Sequence, residues 1–184
     1  PIGNAGDITL RALDLLRNAD AIACEDTRTT RRLMSIHGVG TKLIPYHEHN
    51  AAEMRPQILG RIAEGQAIAL ISDAGTPLIS DPGYKLARAA RDQGLAVTCL
   101  PGASAPLVGL LLSGLPSDRF LFAGFPPPKS AARRTFLLEL APIAATLILF
   151  EAPHRLPECL GDLAAVLGDR EAAVTRELTK LFEE

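Results

Sequence analysis

The chain has 184 residues, 47% of them hydrophobic, enough to bury a sizeable core in one or two domains. Charged residues make up 22% and the net charge is −2, which argues against a disordered chain and against a uniformly basic or acidic partner surface. No apolar run reaches the length of a membrane span. The three cysteines, Cys24, Cys99 and Cys159, are far apart and odd in number. They fit reduced, buried thiols in a cytoplasmic protein better than a disulfide frame or a zinc site.

Strand-like and helix-like stretches alternate. Asp7 reads as the cap of a helix reaching about Arg17, followed by a short buried strand over 21–24. A helix over 27–37 stops at Gly38, and a strand over 42–45 follows. Asn50 reads as the cap of a helix ending near Gly65, perturbed by Pro56. AIALIS over 67–72 is apolar on both faces, as parallel strands are. Asp81 and Pro82 supply a cap and a first-turn proline for a helix over 83–93, ended by Gly94. A strand over 96–100 leads through Gly102 into a helix over 103–113. The turn-rich 114–118 separates a domain over 1–114 from one over 118–184. The second part predicts strand 120–124, a Pro-rich loop, a basic helix 130–140, strand 146–150, helix 154–166 and strand 171–175. Repeated βα units imply an α/β protein with two modest, largely parallel sheets.

In open α/β sheets ligands bind beyond the carboxyl ends of the strands, which directs attention to four loops. In SDAGTPLISDPG, Asp73 stands at a strand end and small residues follow; ligand contact is preferred for Asp73, plain helix capping for Asp81. In PGASA, the small residues around Ser104 open a helix whose free N–H groups suit a polar ligand edge, although Ser104 also reads as a cap. In CEDTRTTRR, Glu25, Asp26 and Arg28 could orient and deprotonate a hydroxyl, while Asp26 or Thr27 reads equally well as a helix cap. In YHEHN, alternation puts His47 and His49 on one side, for substrate contact or ordinary polar packing; no third ligand supports a metal site. Arg155 in EAPHR and Arg176 in RELTK read as partners of nearby carboxylates. No GxGxxG or P-loop pattern occurs.

PIGNAGDITLRAL, CEDTRTTRRL, YHEHN, SDAGTPLISDPG, LPGASA, EAPHR and TRELTK occur in one order over the whole chain. This ordered set resembles the bacterial ribosomal RNA small-subunit methyltransferase I family of the tetrapyrrole-methylase superfamily. The resemblance implies a class III methyltransferase fold of two α/β domains, with S-adenosyl-L-methionine in the cleft between them. It implies a homodimer that methylates a cytidine ribose 2′-oxygen in 16S rRNA of the small ribosomal subunit. By motif, cofactor contacts fall on Ile2, Asp73, Gly75, Thr76, Ser104, Ala105 and Phe150. The family has a strand ahead of PIGN and continues past RELTK, so an incomplete second domain is expected here.

Methyl transfer from a sulfonium needs in-line alignment and a way to take the hydroxyl proton. Glu25, Asp26 and His49 are the sequence's options for that base, with Arg28 or Lys180 as electrostatic helper. By charge alone, the Arg-rich segments read as solvated helix faces. With the resemblance, Arg31, Arg32, Lys129, Arg133 and Arg134 are expected to contact RNA phosphates. No metal is implied. Two rivals remain: a tetrapyrrole methylase of the same fold, and a non-catalytic RNA-binding module.

Overall fold

A computed structural model describes residues 1–80 and 83–184. The chain forms two compact units, Pro1–Ser104 and Ala105–Glu184.

The first unit is built on a parallel three-stranded sheet. Its strands are β1 (Ala21–Cys24), β2 (Leu43–Pro45) and β3 (Ile68–Ile71), in the order β2-β1-β3. Ile22 pairs with Leu43 on one side and Ala69 on the other, so β1 is central and wholly buried. That burial is why β1 is apolar on both faces instead of alternating.

Helices α1 (Leu10–Asn18) and α2 (Thr27–Ile36) cover one face, where Leu13, Leu16, Ile22 and Met34 pack together. Helices α3 (Ala51–Ala63) and α4 (Tyr84–Asp92) cover the other, where Ala23, Tyr46, Ile58, Leu59 and Leu86 form a second core. The carboxyl ends of all three strands are thereby left to loops.

Several local expectations change. Thr9, not Asp7, caps α1: its hydroxyl accepts from the Ala12 N–H at 3.1 Å, and Asp7 ends a short 3-10 turn, Ala5–Asp7. Asn50 precedes α3 but makes no side-chain cap. The proposed Asp81 cap and Pro82 lie outside the described residues.

The expected strand over 96–100 is irregular and mostly exposed, and so is the one over 171–175. An apolar or β-branched run supplies only an inclination; a strand exists where a neighbour completes its hydrogen bonds. Neither segment has such a neighbour among the described residues. Beyond 171–175 the chain closes on itself, with Arg176 and Glu184 exchanging backbone hydrogen bonds of 2.7 and 3.0 Å.

The second unit starts with α5 (Ala105–Ser113), which packs against a two-stranded parallel sheet of β4 (Phe120–Gly124) and β5 (Thr146–Leu149). The crossover is α6 (Ser130–Leu140), and α7 (Leu156–Leu167) packs along it after a 3-10 turn, Pro153–Arg155. Arg133 fixes that helix pair. It is 1% exposed, bonds Asp162 at 2.7 Å through two nitrogens, and reaches the Pro128 carbonyl at 3.2 Å. No helix among the described residues is long and apolar enough to cross a membrane.

Candidate functional site

The site of interest in the first unit lies at the carboxyl edge of its sheet. The loop after β3 is tied to two distant segments. The Gly75 N–H donates to the Pro1 carbonyl at 2.7 Å, and the Thr76 hydroxyl donates to the Ala103 carbonyl at 3.2 Å. Gly75 has φ +77°, and a Cβ there would meet Ile2 Cγ2 at 3.4 Å and the Ala103 oxygen at 3.7 Å. That left-handed backbone favours glycine, and a Cβ there would make ordinary contact with Ile2 and Ala103. The same loop holds Leu78 and Ser80 at φ +71° and +61°. Such conformations are costly for ordinary residues and gather where a ligand is clamped. Ile2, Asp73, Gly75 and Thr76 are therefore neighbours of one another and of residue 103, next to Ser104.

A fourth segment joins through Asp73, whose Oδ1 accepts the backbone N–H of Asp26 at 3.1 Å. Asp26 is the cap of α2. Its carboxylate accepts the Arg28 N–H at 2.7 Å and grips the Arg28 guanidinium, with Nη2 at 2.7 Å and Nε at 3.1 Å. The Arg28 side-chain hydrogen bond, followed by its backbone N–H, lowers the Asp26 pKa to about 2. Asp26 thus caps α2 and anchors Arg28, and a carboxylate held that acidic is a weak proton acceptor. Capping, one of the two readings offered for Asp26, is what the structure shows. Arg28 itself is 87% exposed and keeps N–H groups for an outside partner. Glu25 is half-buried at the end of β1.

The rings of His47 and His49 lie 6.0 Å apart, on a turn and not on the extended segment expected. Sequence reasoning missed what holds them. The Asn50 side chain accepts the His47 N–H at 2.9 Å and donates to the Pro45 carbonyl at 3.0 Å, closing the turn. The signal available was Asn three residues after His47, a side-chain turn pattern.

The remaining expected residues are spread differently. Arg31 and Arg32 are exposed on α2, and Lys129 and Arg134 are exposed at and in α6. Arg133 is a correction: it is buried against Asp162 and offers nothing to a phosphate. In the second unit, Phe150 donates its N–H to Gly124 and packs its ring 4.9 Å from Phe122 and 5.3 Å from Phe125. Lys180 pairs with Glu177 at 3.1 Å. Arg155 and Arg176 pair with Glu151 and Glu184, at 2.6 and 3.5 Å. Among the described residues no group of His, Cys, Asp and Glu could hold a metal ion.

Residues 1–184 match the family described as Tetrapyrrole (Corrin/Porphyrin) Methylases, and the chain belongs to it. Its relatives are more particular. Over its full length it is 56% identical to "Ribosomal RNA small subunit methyltransferase I" of Mesorhizobium japonicum, covering 63% of that protein. It is 52% identical to the protein of that name from Xylella fastidiosa and 48% to that of Escherichia coli O157:H7, covering 67% and 64% of them. The chain thus spans a little under two thirds of the length of most of these curated relatives.

Solved structures agree on the fold. The cobalt precorrin-4 methyltransferase structure has a TM-score of 0.69 at 18% identity, covering 99% of this chain and 79% of its own. Uroporphyrin-III C-methyltransferase from Thermus thermophilus, complexed with S-adenosyl homocysteine, gives 0.63 at 19%, covering 99% and 81%. Diphthine synthase gives 0.65 at 17%, covering 89% and 68%.

Proposed function

We propose that this chain is the larger part of an S-adenosyl-L-methionine-dependent methyltransferase that methylates a cytidine ribose 2′-oxygen in 16S rRNA, acting in the cytoplasm as a homodimer. One observation carries the proposal. Three segments far apart in sequence, at Ile2, at 73–76 and at 103, meet at the carboxyl edge of a parallel sheet. The shared name of the relatives supports the RNA substrate.

The residues present fit a sulfonium nucleoside. The Gly75 turn sits beside the Ile2 side chain, an apolar contact surface, and beside the Ala103 carbonyl. Asp73 offers a carboxylate, Thr76 a hydroxyl and residues 103–105 main-chain groups. Ala105 and Phe150 are proposed as cofactor contacts on the family motif alone. When bound, S-adenosylmethionine supplies a methyl group on a positively charged sulfur, open to displacement.

The chain's own residues then have three tasks. They must hold the ribose in line, keep water out, and take the proton that the 2′-hydroxyl loses as its oxygen gains carbon. Glu25, Asp26 and His49 are the acceptors proposed, with Asp26 also holding Arg28. Arg28 and Lys180 are the proposed cationic helpers. Arg31, Arg32, Lys129 and Arg134 are the proposed phosphate contacts.

The test uses the full-length protein. Calorimetry with S-adenosylmethionine should show binding, and labelled methyl should pass to 30S subunits and not to a precorrin. Transfer to the precorrin alone would move the protein to the macrocycle methylases. RNA affinity with no cofactor binding would make it a non-catalytic module.

A further inference from the structure

Strand β2 is an outer strand, paired only with β1. Beside it runs a groove of about 250 Å³, lined on the α3 side by Ile44, Met54 and Ile58, with Lys42, Leu43, Pro45, Gln57 and Arg61 around them. The open edge of a sheet usually invites another strand. Here it does not. Lys42 and Tyr46 face β1 through their backbone bonds, so Leu43 and Pro45 face outward. Pro45 has no N–H to give, and its carbonyl is taken by Asn50 at 3.0 Å. Strand addition is therefore blocked, and the groove needs a different occupant.

Its charge says which kind. Among the described residues no carboxylate lines it. Arg61 is oriented by a neutral partner, its Nε donating to Gln66 Oε1 at 2.7 Å, which leaves both terminal nitrogens for an anion. Neither Lys42 nor Arg61 takes part in an ion pair among the described residues. Two uncompensated cations over an apolar floor complement a nucleotide, which carries a phosphate on one side and a flat, weakly polar base on the other.

Position supports the same occupant. Pro45 runs directly into the turn that carries His47 and His49, and α3 begins at the end of that turn. Arg61 lies ten residues into α3, roughly 15 Å along its axis. The groove thus leads away from the sheet's carboxyl edge along one flank.

We propose that this groove binds the RNA strand leading away from the target nucleotide, with one phosphate between Lys42 and Arg61 and the adjoining base on the Ile44–Met54 floor. The inference rests on the reading that RNA is the acceptor.

The experiment compares full-length wild type with K42Q/R61Q, measuring binding to 16S rRNA from about 50 to 200 mM salt, with S-adenosylmethionine affinity by calorimetry and mass by sedimentation. Both side chains are at the surface rim, so the fold should survive, and an unchanged cofactor affinity verifies it. The expected result is a salt slope shallower by about 1.5 to 2 and RNA affinity roughly tenfold weaker at the lower salt. Wild-type binding with the same slope in the variant overturns the groove alone. A variant that changes mass but not RNA affinity also overturns it, in favour of a protein partner. If wild type itself fails to bind RNA, the acceptor reading falls and takes the groove with it.

Discussion

The backbone N–H of Asp26 donates to the Oδ1 of Asp73 at 3.1 Å, across 47 residues of sequence. This bond couples the loop proposed to meet the cofactor to the loop that presents Arg28. One carboxylate therefore serves both sides of the proposed reaction, and that shared use is testable.

Asp73→Asn keeps an oxygen for Asp26 but removes the charge. Asp73→Ala removes both. A hydrogen bond to a charged group contributes about 1.5–3 kcal/mol. Calorimetry should show S-adenosylmethionine affinity roughly tenfold or more weaker in both variants. Only the alanine variant should also release the loop at 25–28, read as faster amide exchange at Asp26. Equal exchange in the two would sever the link.

Gly75→Ala places a methyl group against Ile2 on a left-handed backbone. The conformation alone costs about 1–2 kcal/mol for a residue with a Cβ. Because the strain falls where three segments meet, cofactor affinity should drop by about tenfold. The melting temperature should fall by only a few degrees. Full affinity with lowered stability would assign Gly75 to folding alone.

Asp26 predicts an acid-side signature. Its pKa is held at about 2, below the ordinary carboxylate value near 3.9. The folded state therefore favours the ionised form. That contribution is complete above about pH 4 and is lost as the pH falls toward 2. Urea midpoints taken through this window should decline more steeply in wild type than in Asp26→Asn. Parallel curves would remove the Arg28 fork from the account.

Arg133 and Arg134 are adjacent but should behave in opposite ways. Arg133→Ala strands the buried Asp162 carboxylate and should destabilise the second unit strongly. The double change R133M/D162L should restore much of the stability, since no charge is then left unpaired. Arg134→Gln, at an exposed position, should leave the midpoint unchanged and flatten the salt dependence of RNA binding. A reversed pattern in denaturation and binding would refute this division.

Asn50→Ala removes the acceptor of the His47 N–H and the donor to Pro45. We expect a loss of about 1 kcal/mol in stability. The His47 and His49 imidazole signals should become mobile by NMR, and methyl transfer should slow with little change in cofactor affinity. Rigid imidazoles in the variant would show that the turn does not depend on Asn50.

Much of the framework was legible before any coordinates. The run Ala21–Cys24 and the TLIL of β5 are strands because an apolar stretch bounded by polar turn residues has few other places to go. The basic helix Ser130–Leu140 was legible from its periodicity and the prolines before it. The segments at 96–100 and 171–175 carry the same strand-like composition without forming strands. Pairing is a property of two segments, and composition describes one. Asp7 was the cap expected for α1, but the 3-10 turn at Ala5–Asp7 ends there and Thr9 caps the helix instead.

The sequence by itself determined the alternation of strands and helices, the ordered motifs and the family they resemble, because these depend on residue type and spacing along one chain. Tertiary structure alone decided which charges face water. Arg133 and Arg134 differ by one position, but successive helix residues point about 100° apart. Only the place where α7 packs determines that Arg133 meets Asp162 and Arg134 meets solvent. It likewise decided that Thr76 reaches Ala103, and that Asp26 reaches Asp73, since the parallel sheet carries the ends of β1 and β3, distant in sequence, to one edge.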